Sequence, residues 1–403
     1  MNWINKQQNM LASESDPDVY ETLAKCLEGK QISKTQAMEL LACQDHHAIL
    51  STARSIRDKT KSGPITYSRK IFINLVNLCR DSCSYCTYKK EPTDKLVSMM
   101  GPSEVLEIAQ AGKRVRCTEA LFVTGERPEQ RYPQARSWLH SLGHYTTVEY
   151  IREVSEMVLQ KTGLLPHTNA GSLTKKEMSI LKETNVSLGV MLESSSERLT
   201  SKGMPHEMAP SKNPKVRIRT LENAGDLMIP TTTGLLIGIG EAPQDIIDSL
   251  FLIKEINERY GHIQELIIQN FAPKPETQMS RSTPPAYDFF LTTVGVARIV
   301  LREMNIQVPP NLNPYTFGKF LDAGINDWGG ISPLTIDHVN PEFPWPSISS
   351  VRDLTETKGY SLRARLPVYP EFLSDTAYIS DKLRPYIEPL SDDYGLVPEE
   401  YLI

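Results

Sequence analysis

Three of the six cysteines, Cys79, Cys83 and Cys86, fall within one short stretch, Cys79-Arg80-Asp81-Ser82-Cys83-Ser84-Tyr85-Cys86. Three thiolates in one loop can ligate three corners of an iron–sulfur cubane, whose protein ligands are ordinarily four cysteines. No fourth cysteine lies nearby, so one iron of a [4Fe-4S] cluster is left open for a substrate. A zinc site is the first alternative, but it needs a fourth close ligand. The nearest histidines in sequence, His46, His47 and His140, are not at knuckle spacing. Three buried structural cysteines are the second alternative, and Arg80, Asp81 and Ser82 between them make a poor core. The spacing favours the open cluster.

Such a loop needs a rigid frame, and the sequence supplies alternating strand-like and helix-like segments. Apolar, β-branched runs occur at 71–78, 120–123, 163–167, 186–192, 231–238 and 265–269, with weaker ones at 306–309 and 325–331. Helical patterns fall between them, at 102–111, 147–161, 175–183, 243–260 and 286–304. This alternation predicts a parallel α/β sheet with crossover helices. Periodicity alone leaves a closed barrel and a doubly wound sheet both open. The cysteines directly follow the first strong strand, at the end where parallel barrels carry their active sites. Before the sheet, residues 1–64 read as a helical extension, with Ser33 and Gln36 forming a capping box and a second amphipathic segment at 49–56. Gly63-Pro64 breaks the chain ahead of the 65–340 core, and the Pro-, Ser- and Tyr-rich 341–403 reads as an extension packed on it.

Composition is that of a soluble enzyme: 403 residues, 40% hydrophobic, formal net charge -5. No apolar run approaches the roughly 20 residues that span a bilayer, and residues 1–17 lack a signal-peptide pattern. The basic clusters are short, which argues against nucleic acid. The expected location is the cytoplasm, where Cys26, Cys43 and Cys117 are small buried hydrophobes.

The C-x3-C-x2-C spacing, with Tyr85 before the last cysteine, resembles the radical S-adenosylmethionine superfamily. The resemblance extends to Thr124-Gly125-Glu126, where the superfamily carries a Gly-Gly-Glu that binds the methionine amino group. It extends also to Gly234-Leu235-Leu236-Ile237-Gly238-Ile239-Gly240-Glu241, which matches an element beside the adenine. Glycines there permit close backbone approach to a flat ring. By the same likeness Glu193 is placed on the ribose hydroxyls and Arg217 on the methionine carboxylate. The resemblance implies a (βα) barrel, here of eight strands. It also implies a 4Fe-4S cluster on Cys79, Cys83 and Cys86, and S-adenosyl-L-methionine split to methionine and a 5'-deoxyadenosyl radical. Tyr85, Gly125, Glu126, Glu193, Arg217, Gly234, Gly238 and Glu241 are then the cosubstrate-binding candidates.

Further segments narrow the likeness: 125–133, 165–171, 260–265, Gln269-Asn270-Phe271 and 326–333. Over about residues 67–373 the chain resembles the cyclising deazaflavin synthases of that superfamily. This implies a lyase that abstracts hydrogen from a tyrosine–ribitylaminouracil adduct, closes the central ring and expels ammonia. A partner radical enzyme that makes the adduct and an electron donor for the cluster are implied as well. A uracil with a ribityl chain suits amide and carboxylate groups at strand ends, and Asn169, Gln269, Asn270, Asn313 and Asp327 are the candidates. Ring closure needs proton transfer, for which His167, Glu129 and Tyr145 are the candidates. The adduct-forming partner, a menaquinone-pathway cyclase and a cluster-binding electron carrier without chemistry of its own are the competing readings.

Overall fold

The computed structural model describes residues 17–402. Eight parallel strands run β1 (Ile65–Val76), β2 (Glu119–Thr124), β3 (Leu165–Asn169), β4 (Ser187–Gly189), β5 (Thr231–Ile237), β6 (Ile263–Asn270), β7 (Ile306–Gln307) and β8 (Asp327–Ile331). They pair in chain order, and β1 hydrogen-bonds to both β2 and β8, so the sheet closes on itself. Closure decides for the barrel over the doubly wound sheet, a choice set by long-range pairing that local periodicity does not carry. β2 and β5 are buried along their whole length, as strands covered on both faces must be.

Three helices, α1 (Pro17–Leu27), α2 (Lys34–Ala42) and α3 (His46–Thr60), precede the barrel. The Ser33–Gln36 capping box forms as expected at the start of α2. The crossover helices are α4 (Pro102–Arg114), α5 (Pro128–Arg131), α6 (Pro133–Ser141), α7 (Thr147–Thr162), α8 (Lys175–Lys182), α9 (Pro214–Asp226), α10 (Pro243–Tyr260) and α11 (Tyr287–Val300). Their ends follow local chemistry. Thr146 and Glu149 form a capping box before α7, and Gly163 closes it in the left-handed conformation at φ 72°. In α4, Gly112 lies where a Cβ would strike Ile71, so the absent side chain sets how closely helix and strand approach.

The first strand begins six residues earlier than its apolar run, and the early part carries a second pairing. β9 (Leu362–Arg365) aligns with Ile65–Ser68, while β8 takes Thr66–Arg69. Since a strand has two edges, β9 must lie below β2 on the edge that β2 leaves free until Lys70. This returning strand drives Arg365 into the floor of the barrel. There the guanidinium bridges Asp327, with Nε 2.6 Å from Oδ2, and Glu265, with Nη2 2.8 Å from Oε1. Tyr369 donates to the same Glu265 oxygen at 2.9 Å.

Three histidines are buried uncharged, His167 inside the barrel, His262 just ahead of β6 and His206 in the segment between β4 and α9. Burial pushes each from its ordinary 6.5 down to about 4. A group with a depressed folded pKa binds fewer protons folded than unfolded, so stability falls as pH drops from about 6.5 towards 4, by on the order of 3 kcal/mol per group at the limit. Glu241, pushed up to about 7 by burial, acts with the opposite sign between about 7 and 4.5. The urea midpoint is expected to fall between about pH 7.5 and pH 5, and less so in His262→Phe. An identical fall in the variant would contradict this.

Candidate active site

The cysteine loop leaves β1 just past an irregularity in its pairing with β2, between Asn74 and Val76. The loop is held from several sides. The Tyr88 hydroxyl shares its one proton between the carbonyls of Val76 and Val123, both at 3.0 Å, tying the loop to the ends of two strands. The segment between β4 and α9 clamps it from across the barrel mouth: Ser82 N donates to Met208 O at 2.8 Å and Ser84 N to Pro205 O at 3.0 Å. The Tyr85 hydroxyl meets His206 Nε2 at 3.0 Å. Burial pushes the Cys79 thiol up to about 11 and Cys83 higher still. Such thiols become thiolates only against a compensating cation, which iron provides. Among the described residues no three His, Cys, Asp or Glu side chains converge as a site for a single ion. In a cubane each thiolate binds a different iron, so no such convergence is needed.

Beside the loop stands Glu126. Its backbone N–H donates to Cys79 Sγ at 3.2 Å, and its carbonyl accepts from Arg80 N at 2.7 Å. Gly125 is required here, because a Cβ would fall on the Leu78 carbonyl. Gly171, in the left-handed conformation at φ 73°, leaves room for the Glu126 carboxylate in the same way. One carboxylate oxygen accepts from Ser172 N at 3.0 Å. The other, Oε1, is buried with no hydrogen-bond partner, although the Arg127 and Arg80 guanidinium groups stand 3.7 and 3.9 Å away. Buried carboxylate oxygens are normally satisfied, and an ammonium group is the complement this one lacks. The donor set and this orphaned acceptor therefore fit the cluster and the amino end of S-adenosylmethionine.

The remaining cosubstrate candidates fall on the same end of the barrel. Glu193 follows β4 in the left-handed conformation, φ 66°, and its backbone pairs with Gly234 and Leu236. Burial pushes its carboxyl up, but the Lys212 ammonium bonded to it outweighs that and leaves it below the usual range. Arg217 is buried, donates from Nε to Ser211 O at 2.8 Å and stands 4.0 Å from Glu126. Gly238 and Gly240 take φ of 98° and 114°, values that favour glycine. Glu241 accepts from the backbone of Gly238 and Ile239 at 2.5 and 2.9 Å, so in this structure it holds that turn. Gly234 makes room for the Met191 side chain and the Ile267 carbonyl.

Asn169 closes β3, and Gln269 and Asn270 close β6; Asn313 donates to Asn270 at 2.8 Å. These four share the cysteine end. Asp327 does not: it opens β8 instead of ending it, and is fully buried under Arg365 at the opposite end. The strand-end expectation fails for it because it is the first residue of β8, and the first residues of parallel barrel strands lie at the end away from the cysteines. Of the proton-transfer candidates, His167 lies in the barrel with Nδ1 2.6 Å from Ser187 Oγ. Glu129 is buried against Thr147 Oγ1 at 2.7 Å. Tyr145 is 75% exposed and packs on His140, and the structure brings it to no other candidate.

Sequence reading overlooked the inward side chains of β1. Within that strand Lys70 pairs with Glu119 at 3.0 Å, and Gly330 is bare where a Cβ would strike the Lys70 methylenes. The alternation of polar and apolar residues over 65–74 was the available signal. At the far end of the barrel lies a cavity of about 580 Å³, lined by Lys61, Asn305, Arg363 and Glu371 among others. Lys61 is paired with Glu371 and Arg363 with Asp392, so its charges are already satisfied.

A model of the Radical SAM superfamily matches residues 73–253. The chain is 45% identical over 331 residues to the 7,8-didemethyl-8-hydroxy-5-deazariboflavin synthase of Methanopyrus kandleri, covering 82% of this chain and 99% of that one. It is likewise 45% identical to the protein of the same name from Methanocaldococcus jannaschii, covering 87% and 96%. A protein named FO synthase from Streptomyces avermitilis is 42% identical over 92% of this chain but only 45% of its own length. Among solved structures, the maturase HydG from Carboxydothermus hydrogenoformans superposes with a TM-score of 0.72 at 17% identity, covering 93% of this chain and 90% of that one. Methylornithine synthase superposes at 0.67 and 17% identity, covering 84% and 96%. At such identities these two bear on the fold alone.

Proposed function

This chain belongs to the 7,8-didemethyl-8-hydroxy-5-deazariboflavin synthase family of the Radical SAM superfamily, and we propose that it is the cyclising lyase that forms the deazaflavin chromophore of coenzyme F-420. Its substrate in this reading is the 5-amino-5-(4-hydroxybenzyl)-6-(ribitylimino)uracil adduct, and its products are the deazaflavin, ammonia, methionine and 5'-deoxyadenosine. The likeness to the two archaeal synthases along nearly their whole length supports the product. The observation that carries the radical chemistry is Glu126 Oε1 beside the cysteine loop, buried with no hydrogen bond of its own.

Cys79, Cys83 and Cys86 would hold the 4Fe-4S cluster, which when bound would supply the electron for reductive cleavage of S-adenosylmethionine. Glu126 accepts the methionine ammonium, and Arg217 meets the carboxylate. Glu193 exchanges Lys212 for the ribose hydroxyls, with Tyr85 and the Gly234–Glu241 turn beside the adenine. Asn169, Gln269, Asn270 and Asn313 bind the polar substrate at the barrel mouth. His167, neutral at physiological pH, is the proton acceptor within the barrel. The barrel wall excludes water from the radical. Of the 1–64 extension, residues 17–64 form the helical part and 1–16 lie outside the described residues; 65–340 is the catalytic barrel, and 341–403, described to residue 402, is the C-terminal extension packed on it. An adduct-forming radical enzyme and a cytoplasmic electron donor complete the system. No helix among the described residues is long and apolar enough to cross a membrane.

Anaerobic incubation of the reconstituted protein with the adduct, S-adenosylmethionine and dithionite tests this. Deazaflavin fluorescence, ammonia and 5'-deoxyadenosine are expected to rise together. Deoxyadenosine without deazaflavin would overturn the substrate, and neither product would overturn the radical reading.

A further inference from the structure

One face of the barrel interior takes no part in the chemistry assigned so far. On β1 the odd-numbered Ile71, Ile73 and Leu75 pack outward with Ala109 of α4. Strand alternation therefore turns Lys70, Phe72 and Asn74 inward. The Phe72 ring is stacked on Trp345, with centroids 5.3 Å apart and planes at 20°. Lys70 Nζ stands 5.5 Å from the Phe72 centroid. Cys86 packs against the same apolar cluster, so this wall adjoins the loop from which a radical would reach.

Trp345 is brought there by the chain after β8. The β1–β8 register ends at Arg69–Ile331, and the Phe72 N–H donates instead to Thr335 Oγ1 at 2.9 Å. Two polar atoms on the wall are buried without a hydrogen-bond partner, Asn74 Oδ1 and Trp345 Nε1. One accepts and the other donates. Buried polar atoms are normally satisfied by protein, ordered water or a bound group, and these two have no protein partner.

We propose that Lys70, Phe72, Asn74 and Trp345 form the recognition site for a pyrimidinedione ring, the uracil end of the substrate. The proposal rests on the function proposed above and names which surface reads which part of the molecule. A pyrimidinedione edge presents an imide N–H between two carbonyls. The wall supplies one unfilled acceptor in Asn74 Oδ1 and one unfilled donor in Trp345 Nε1, while the Lys70 ammonium, paired with Glu119, adds positive charge farther down the strand. The stacked Phe72–Trp345 pair borders these groups with apolar surface, and a ring held by the indole N–H lies edge-on to Trp345, because that N–H points in the indole plane. A phenol ring has no imide edge and would leave the Asn74 and Trp345 atoms unpaired together, so the tyrosine-derived end fits the wall less well.

Two conservative variants of the full-length holoenzyme test the assignment. Asn74→Leu removes the acceptor at similar volume, and Trp345→Phe keeps the stack without the N–H. Each is expected to raise KM for the adduct about tenfold, the worth of one hydrogen bond. Cluster content and KM for S-adenosylmethionine should stay unchanged; a merely structural role would move these with the adduct KM. An unchanged adduct KM in both variants overturns the proposal, as does a parallel rise in KM for S-adenosylmethionine.

Equilibrium dialysis with 5-amino-6-(ribitylamino)uracil, and with its 3-methyl derivative lacking the imide N–H, separates this site from the reaction. The wild type should bind the methylated probe about tenfold more weakly, and Asn74→Leu should bind the two alike. That result supports the recognition site even if no deazaflavin forms. Equal binding of both probes by the wild type overturns the site even if deazaflavin does form.

Discussion

Cys83→Ala is expected to abolish 5'-deoxyadenosine and deazaflavin formation while the protein stays folded. The three thiolates are the whole protein ligand set of the proposed cluster, so deleting one leaves a second iron without a protein ligand. The loss is therefore all-or-none, where a substrate contact would cost about tenfold. Folding should survive, because the loop is fixed by bonds that do not involve the Cys83 side chain: Tyr88 to Val76 and Val123, and Ser82 and Ser84 to the segment at Met208 and Pro205. Iron and sulfide analysis of anaerobically reconstituted protein, with the electron-spin signal of the reduced cluster, reads the effect directly. Cys43→Ala is the control. That cysteine is half-buried near the start of α3, where its sulfur accepts from the Asp45 N–H at 3.3 Å, and its loss should leave iron content and deoxyadenosine unchanged. Full deoxyadenosine formation by Cys83→Ala would refute the assignment of the cluster to this loop.

Arg365→Met is expected to give the largest loss of stability of any single change outside the site. The guanidinium is buried and is the cation bonded to both Asp327 and Glu265. Removing it strands two carboxylates in the barrel floor, which costs on the order of 3–5 kcal/mol. Burial already holds Glu265 above the usual carboxylate range, with Arg365 pulling it back down. Without Arg365 the folded pKa of Glu265 rises further above its unfolded value. Its destabilising effect is then greatest at neutral pH and shrinks as pH falls and the carboxyl becomes neutral. Urea unfolding at about pH 7.5 and pH 5.5 should show a larger deficit at the higher pH. Adding Asp327→Asn and Glu265→Gln should recover part of it, since replacing a whole buried ion group costs far less than breaking it. A single variant as stable as wild type at pH 7.5 would show that the floor charges are solvated.

The floor network also explains a sequence feature that chemistry alone did not. Asn326-Asp327-Trp328-Gly329-Gly330 reads like a functional motif, yet its parts are architectural. Asp327 anchors Arg365, and Trp328 is fully buried with its indole N–H on Thr355. Gly329 and Gly330 are bare where side chains would strike Gln307 and Lys70. Those glycines keep the barrel interior open for polar groups from neighbouring strands.

The sequence by itself determined the cysteine spacing on which the proposed cluster chemistry rests, and the kind of frame that carries it. Cysteine spacing is a local property, and so is the strand–helix alternation, which placed every barrel strand to within a few residues except for the early start of β1. Caps such as Ser33 and Thr146 are local too, because they act within one helical turn. What only the tertiary structure decided are matters of pairing between distant segments. Closure of the barrel depends on β1 meeting β8, some 260 residues later. The return of β9 moved Asp327 from a substrate candidate at the mouth to an anchor on the floor. The orphaned Glu126 oxygen exists because, from another strand end, Gly171 leaves room for the carboxylate and Ser172 N satisfies only one side of it. Burial and hydrogen-bond satisfaction are properties of the assembled neighbourhood, so residue types and spacing predict which groups can do chemistry but not which are left free to do it.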